Sequence, residues 1–345
     1  MIDIEAQNRF ASFLGRKLDA SQVVVANVSP IGGGYSRVMI RFDVTINGVP
    51  RSLVARMDPP PDRSVAKSDR GAEWNVLNAL TRYGRVSLPA AHCYDADGEV
   101  FGQPMIISDF IPSSTLIATL RNTPHEQFRG YAEKLADLAA SIHRVPLSTL
   151  SGLEIPKNWD AYIDSRIEEW RAIERENYER DPFIRYLAAW LDSHRPAPAP
   201  LCLVHGDFHA ANSIVAEDDG RLLAIDWEFP HVGDPRVDLG WFLLMAGIQP
   251  PDLMTAEFDV FLDRYRANTG LSADIVNKDT INYFQILAGT MLFGGTFRQT
   301  SALARGEVAN HTLLYVTGVT VLAHELWFGK SQMLEAALGQ KRRVA

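Results

Sequence analysis

Cysteine is scarce: Cys93 and Cys202 are the only two in 345 residues. That leaves no disulfide framework and no cysteine-built metal cluster, and each thiol reads as a small buried hydrophobe. Long unbroken apolar runs are missing as well. The stretches near 286–297 and 313–328 are too short, or are interrupted by Thr320, His324 and Glu325, so they read as core helices and no membrane partner is expected. Positive charge is also in short supply, with 34 Lys and Arg against 42 Asp and Glu and a formal net charge of −8. Apart from "QKRR" at the very end the basic residues are scattered, which argues against a nucleic-acid partner. The start, "MIDIEAQNRF", lacks the basic flank and apolar core of a secretion signal, and a cytoplasmic location is the expectation. Internal repeats and low-complexity tracts are absent too. What remains is the composition of a globular protein, long enough for one large domain or two ordinary ones.

What is present falls into two patterns. Between Val23 and Met57 the chain reads as three strands, "QVVVANVSPI", "SRVMIRFDVTI" and "RSLVARM", the last two joined by the hairpin signal Asn47-Gly48. A solvated loop "DPPPD" and a helix over about 64–82, with Trp74, Leu77 and Leu80 at helical spacing, come next. Two more strands are predicted in "LPAAHCYDA" and "PMIISDFI". Beyond "PSSTL" the pattern becomes helical, most clearly along the stripe Phe128, Tyr131, Leu135, Leu138 and Ile142. A further helical region over 158–194 ends at "RPAPAP", and "DPRVDLGWFLLMAG" reads as a helix opened by Asp234 and Pro235, with at least three more helices to follow. The expected fold class is α+β and bilobal: a small antiparallel-sheet lobe over 1–112, a hinge near 108–115, and a larger, mainly helical lobe over 113–345.

Two stretches, "LVHGDFHAAN" and "AIDWEF", each set a carboxylate directly after apolar residues. The intervening "SIVAEDDGRLLAI" suggests two short strands around the three-residue loop Asp218-Asp219-Gly220. An unbulged hairpin symmetric about Asp219 would set Asn212 opposite Asp226, with Cα atoms about 4.5–5.5 Å apart. An amide oxygen and a carboxylate are hard ligands of the kind Mg2+ accepts beside substrate phosphates. Asp207, five residues before Asn212 on the same loop, would then be placed to accept a hydroxyl proton.

An Asp and an Asn with four residues between them, followed by a metal-binding Asp, are the parts of a kinase catalytic centre. The chain resembles the aminoglycoside phosphotransferase and choline kinase-like enzymes, small-molecule relatives of the protein kinases. "HGDFHAAN" is similar to that family's catalytic loop, with His-Gly-Asp for His-Arg-Asp, and "IDWEF" to its metal-binding segment. The resemblance implies a protein kinase-like fold, Asp207 as catalytic base, Asn212 and Asp226 as metal ligands, and Asp238 of "GDPRVDLG" as a brace for the catalytic loop. It covers about residues 25–245. In the first lobe it gives meaning to "IGGGYSR", where Gly32, Gly33, Gly34, Tyr35 and Ser36 would cover phosphates. Arg56 stands where protein kinases carry the nucleotide-binding Lys, and Glu73 resembles the helix Glu that pairs with it. Ser108, Asp109 and Phe110 would meet the nucleotide base at the hinge, with ATP or GTP between the lobes.

Other readings compete with these. "HGDFH" with His231 and Asp234 could be a metal-dependent hydrolase site, which would leave Asn212 and the glycine triplet without a use. A nucleotide-binding pseudokinase is a second alternative, set against the presence of Asp207, Asn212 and Asp226. His205 reads as structural and Trp227 as packing. Residues 158–190, with Trp159, Tyr162, Arg166, Trp170 and Arg171, would line the acceptor pocket or simply pack as an amphipathic pair. "YIDSRIEEWRAIE", "AAWLDSH" and the "VAR" strand resemble the branch associated with acyl-CoA dehydrogenases. That resemblance points to a small-molecule hydroxyl as acceptor, a hydroxyacyl metabolite first.

Overall fold

A two-residue turn at Asn47 and Gly48, with φ of +48° and +85°, closes the first hairpin because both positions need the left-handed region that Asn and Gly tolerate. In the computed structural model, which describes residues 4–31, 37–58, 69–176, 182–247 and 257–289 and isolated positions beyond, this turn joins β2 (Val38–Ile46) to β3 (Val49–Met57). With β1 (Val23–Ile31), β4 (Ala91–Asp95) and β5 (Met105–Asp109) they form an antiparallel sheet in the order β1-β2-β3-β5-β4. The chain divides into two compact units. The first comprises Met1–Thr115, Ser148–Leu153 and Ser213–Pro230, and the second Leu116–Leu147, Glu154–Asn212 and His231–Ala345.

In the first unit alternation along the strands sends Phe42, Val44, Leu53 and Ala55 into the core, while Arg41, Asp43 and Arg56 take the other face. The core is capped by α1 (Ile4–Lys17), whose Phe10, Phe13 and Leu14 are fully buried. Sequence reasoning expected a single helix here and missed this one. Its signal is the i, i+3, i+4 spacing of those three residues inside a polar stretch. The expected helix is α2 (Arg70–Tyr83), capped by the Asp69 side chain and ended by Gly84 at φ +66°; positions 64–68 lie outside the described residues. A second, three-stranded sheet joins β6 (Ser113–Thr115), β8 (Ser213–Ala216) and β9 (Leu222–Ala224).

The second unit is mainly helical. Helix α4 (Phe128–His143), which follows α3 (Leu116–Arg121), buries Phe128, Leu135, Leu138 and Ile142 as the stripe predicts, with Tyr131 only half-buried. The 158–194 region is two helices, α5 (Trp159–Glu176) and α6 (Pro182–Ser193). Trp159, Trp170 and Trp190 are buried in one core with α7 (Arg236–Ala246) and the helix 278–289. Most of the aromatic content assigned to an acceptor pocket is therefore packing. The strands β7 (Cys202–Val204) and β10 (His231–Gly233) pair antiparallel, His231 opposite Val204. The helices anticipated after 290 lie almost wholly outside the described residues. Among the described residues no helix is long and apolar enough to cross a membrane.

Candidate active site

In the second unit the apolar strand β7 delivers the chain to His205, and Gly206 at φ +85° turns it into the loop that carries Asp207 and Asn212. Asp238 holds the start of that loop. Its buried carboxylate accepts the backbone N–H of His205 at 2.8 Å and of Gly206 at 2.9 Å, and lies 3.0 Å from His143 Nε2. Burial alone would raise its pKa, but the hydrogen bond from His143 and the surrounding donors outweigh that and hold it below the ordinary value. His205 is fully buried, and its Nδ1 accepts the Asp207 backbone N–H at 3.3 Å. The Asn212 side chain donates Nδ2–H to the Asp207 backbone oxygen at 3.0 Å and to Asp207 Oδ2 at 2.7 Å. With its nitrogen so committed, the amide oxygen is the polar atom of the Asn212 side chain left as a hard donor.

The first unit carries the other residues of the motif. Asp226 follows β9 at φ +67°, a left-handed conformation rare for a residue with a side chain. Its carboxylate takes a hydrogen bond from Arg56 NH2. Arg56 NH1 lies 3.2 Å from Glu73 Oε1, and NH2 lies 3.7 Å from Glu228 Oε1. Burial works against the Arg56 charge, but Asp226, Glu73 and Glu228 outweigh it and raise its pKa. The network extends further: Arg70 bonds Glu73 at 2.7 Å and Asp58 at 2.6 Å, and Arg37 bonds Glu228 at 2.6 Å and also meets Asp58. Burial and the adjacent Asp226 push the Glu228 carboxyl up to about 7 against the pull of Arg37.

The structure brings Arg56, Glu73 and Asp226 together in one unit and Asp207 and Asn212 in the other. The expected hairpin register needs correction. Ser213 pairs with Ala224 and Val215 with Leu222, one residue away from symmetry about Asp219, because Glu217-Asp218-Asp219-Gly220 forms a four-residue loop closed by Ala216 N–H to Arg221 O at 3.0 Å. The pairing that would set Asn212 opposite Asp226 is not the one formed. Ser108, Asp109 and Phe110 lie at the end of β5. Ser108 pairs with Val54, Asp109 bonds His92 at 2.7 Å, and the Phe110 ring sits 4.2 Å under the Arg41 guanidinium. Gly32, Gly33, Gly34, Tyr35 and Ser36 lie outside the described residues. Glu228, Arg37, Asp58 and Arg70 escaped sequence reasoning, since no spacing rule marks a charge whose partner is far along the chain. Among the described residues no three His, Cys, Asp or Glu side chains converge as a metal site.

A family model described as "Phosphotransferase enzyme family" matches residues 27–271. Among curated proteins, mouse acyl-CoA dehydrogenase family member 10 is 26% identical over 200 residues, a match covering 56% of this chain and 18% of that protein. A solved structure from Ralstonia eutropha, provisionally named an aminoglycoside phosphotransferase, superposes with a TM-score of 0.72 at 19% identity, covering 96% of this chain and 99% of that one. An aminoglycoside phosphotransferase in its GDP complex superposes at 0.61 with 14% identity, covering 94% and 99%. The shared fold is the α+β protein kinase-like fold.

Proposed function

We propose that this chain, which belongs to the phosphotransferase enzyme family and is a small-molecule kinase acting on hydroxyl groups, moves the γ-phosphate of ATP or GTP to a hydroxyacyl metabolite. The observation that carries the assignment of roles is the double hydrogen bond from Asn212 to Asp207, at 3.0 and 2.7 Å. It holds the carboxylate and leaves an amide oxygen for a cation. Asp207 accepts the acceptor's O–H proton as that oxygen bonds to the γ-phosphorus. The bond from the γ-phosphorus to the bridging oxygen breaks, and the nucleoside diphosphate leaves with the electron pair. Arg56 grips phosphate oxygens and Glu73 holds the guanidinium in place. Gly32 to Ser36 cover the phosphates, and Ser108, Asp109 and Phe110 meet the base. Asn212 and Asp226 are hard oxygen donors that fit Mg2+, which when bound neutralises phosphate charge.

The acceptor class has its own support. Arg166, one turn beyond Tyr162 on α5, is only 17% exposed at its side chain. Among the described residues it contacts Glu169 at 3.1 Å and Tyr162, which leaves part of its five-donor fork uncommitted. Tyr162 in turn lies 3.2 Å from His231, which pairs with Val204 three residues before Asp207. A guanidinium there suits an acceptor bearing carboxylate or phosphate and repels a polycation. The curated relatives' name, acyl-CoA dehydrogenase family member, points the same way. Two free thiols, both buried, suit a cytoplasmic enzyme.

Two measurements test this. In ADP-release assays across amino, sugar, macrolide and hydroxyacyl alcohols with both nucleotides, a hydroxyacyl acceptor should give the highest kcat/KM; an aminoglycoside ranking first overturns the acceptor class. Asp207→Asn should lower kcat by about 100-fold or more with nucleotide affinity nearly unchanged, and near-normal turnover would remove Asp207 from the chemistry.

A further inference from the structure

The helix α7 carries more than the brace at Asp238. Three residues on, and so on the same face of the helix, Trp241 donates its indole Nε1–H to Asp207 Oδ1 at 2.7 Å. The ring is 5% exposed and packs in the core with Val237, Leu244, Cys202 and Tyr283. A rigid bicyclic side chain with two rotatable bonds, fixed on all sides, aims its donor with little freedom. Burial alone does not demand this bond: among the described residues the equally buried Trp190 has no hydrogen-bond partner for its Nε1. The other carboxylate oxygen, Oδ2, takes Asn212 Nδ2–H at 2.7 Å. Both Asp207 oxygens are thus held, one from the helix and one from the loop, and neither χ angle can turn without breaking a charge-assisted bond.

We propose that Trp241 is a positioning residue that fixes the Asp207 carboxylate and makes Oδ2 the oxygen that receives the acceptor's proton. Oδ1 is crowded, with Trp241 at 2.7 Å and His209 Nε2 at 3.4 Å, whereas among the described residues Oδ2 takes its hydrogen bond from Asn212. A carboxylate oxygen accepts two hydrogen bonds, so Oδ2 keeps one lone pair for the acceptor hydroxyl. Asp238 and Trp241 act on consecutive parts of the loop: the first fixes the backbone at His205 and Gly206, the second the side chain of Asp207. The inference rests on Asp207 being the base of the proposed reaction.

The contact and its kinetic effect are tested separately. In the full chain with 15N-labelled indoles, the Trp241 resonance, assigned by its loss in Trp241→Phe, should move on Asp207→Ala by more than any other indole; no movement would show that the bond is not made. Kinetically, Trp241→Phe should lower kcat on the order of 10- to 100-fold with the Kd for ATP within about twofold of wild type. If Trp241→Phe does not fold, benzothienylalanine at 241 keeps the ring shape and deletes only the N–H donor. Unchanged kcat in either variant, with Asp207→Ala inactive, overturns the positioning role and leaves the kinase reading intact. Retained activity in Asp207→Ala overturns the kinase reading itself. A parallel fall in kcat and ATP affinity would reduce Trp241 to core packing and so overturn the proposal.

Discussion

The close approach of α7 to the helix 278–289 gives a sharp test of how the second unit is held together. A Cβ built on Gly240 would lie 2.4 Å from both Gln285 N and Phe284 C, and 2.7 Å from Phe284 O. Carbon atoms in contact settle at about 3.5–4.0 Å, so Gly240→Ala forces two helix backbones apart by roughly 1 Å, with no flexible side chain to give way. Overpacking of this kind costs about 1–3 kcal/mol, and a backbone-on-backbone clash belongs at the upper end. At about 3 kcal/mol the population of opened second unit rises roughly a hundredfold, since each ~1.4 kcal/mol is tenfold. The two cysteines supply the assay. Cys202 is buried in this unit and Cys93 in the first. Burial raises the Cys202 thiol well above its ordinary pKa and pushes Cys93 up to about 12, so each is inert until its surroundings open. In native buffer Gly240→Ala should speed thiol labelling at Cys202 by about the same hundredfold and at Cys93 by much less. Unchanged labelling at Cys202 would mean the helices do not meet at Gly240, and equal acceleration at both thiols would refute the local character of the effect.

Two further outcomes follow from buried charge. Arg236 is fully buried and joins Asp234 at 2.7 and 2.9 Å with the carbonyls of Ile275 at 2.9 Å and Ala197 at 2.8 Å; Arg236→Met leaves the Asp234 carboxylate without its counter-charge and should cost about 3–5 kcal/mol, read as a lower urea midpoint with the slope preserved. Asp238 has its folded pKa depressed, so its contribution is complete above the unfolded value near ~4 and disappears as pH falls through the folded one. Asp238→Asn should therefore be less stable than wild type at pH 7, with the gap closing on acidification below about pH 4; a gap that stays constant in urea melts through that range would contradict the shift.

Much of the fold is legible in short-range rules because local backbone chemistry fixes it. Asn47-Gly48 allows one turn type and hence one register for β2 and β3, and the α4 stripe repeats at helical spacing. The later hairpin shows where such rules fail. Around Glu217-Asp218-Asp219-Gly220 a three-residue and a four-residue loop both put Gly220 at positive φ, and the choice between them shifts every pair by one residue. Nothing local separates them; the outcome depends on how β8 also pairs with β6, which is about 100 residues earlier. Helix α1 was missed for a related reason: three buried residues among the eleven of its side chains that are described, 7–17, make a weak stripe, and only packing on the sheet makes it a helix.

Among the site residues the same division holds, and Arg56 shows why. The motif residues Asp207, Asn212 and Asp226 are recognisable by spacing along the chain. Arg56 stood out only as a departure from Lys, and one of the acids around it is a residue that spacing could not reveal. Glu228, 191 residues from its partner Arg37, adds a third carboxylate to the two that Arg56 would otherwise meet, Glu73 and Asp226. A Lys ammonium is a point charge on a flexible stem, whereas a planar guanidinium presents two nitrogens to separate partners at once. Arg56 uses NH1 for Glu73 and NH2 for Asp226 and Glu228. Glu228 has its short ion pair with Arg37 at 2.6 Å and a longer one, 3.7 Å, with Arg56, so Arg56 spends its two terminal nitrogens mainly on Glu73 and Asp226, which a planar fork can reach in different directions at once.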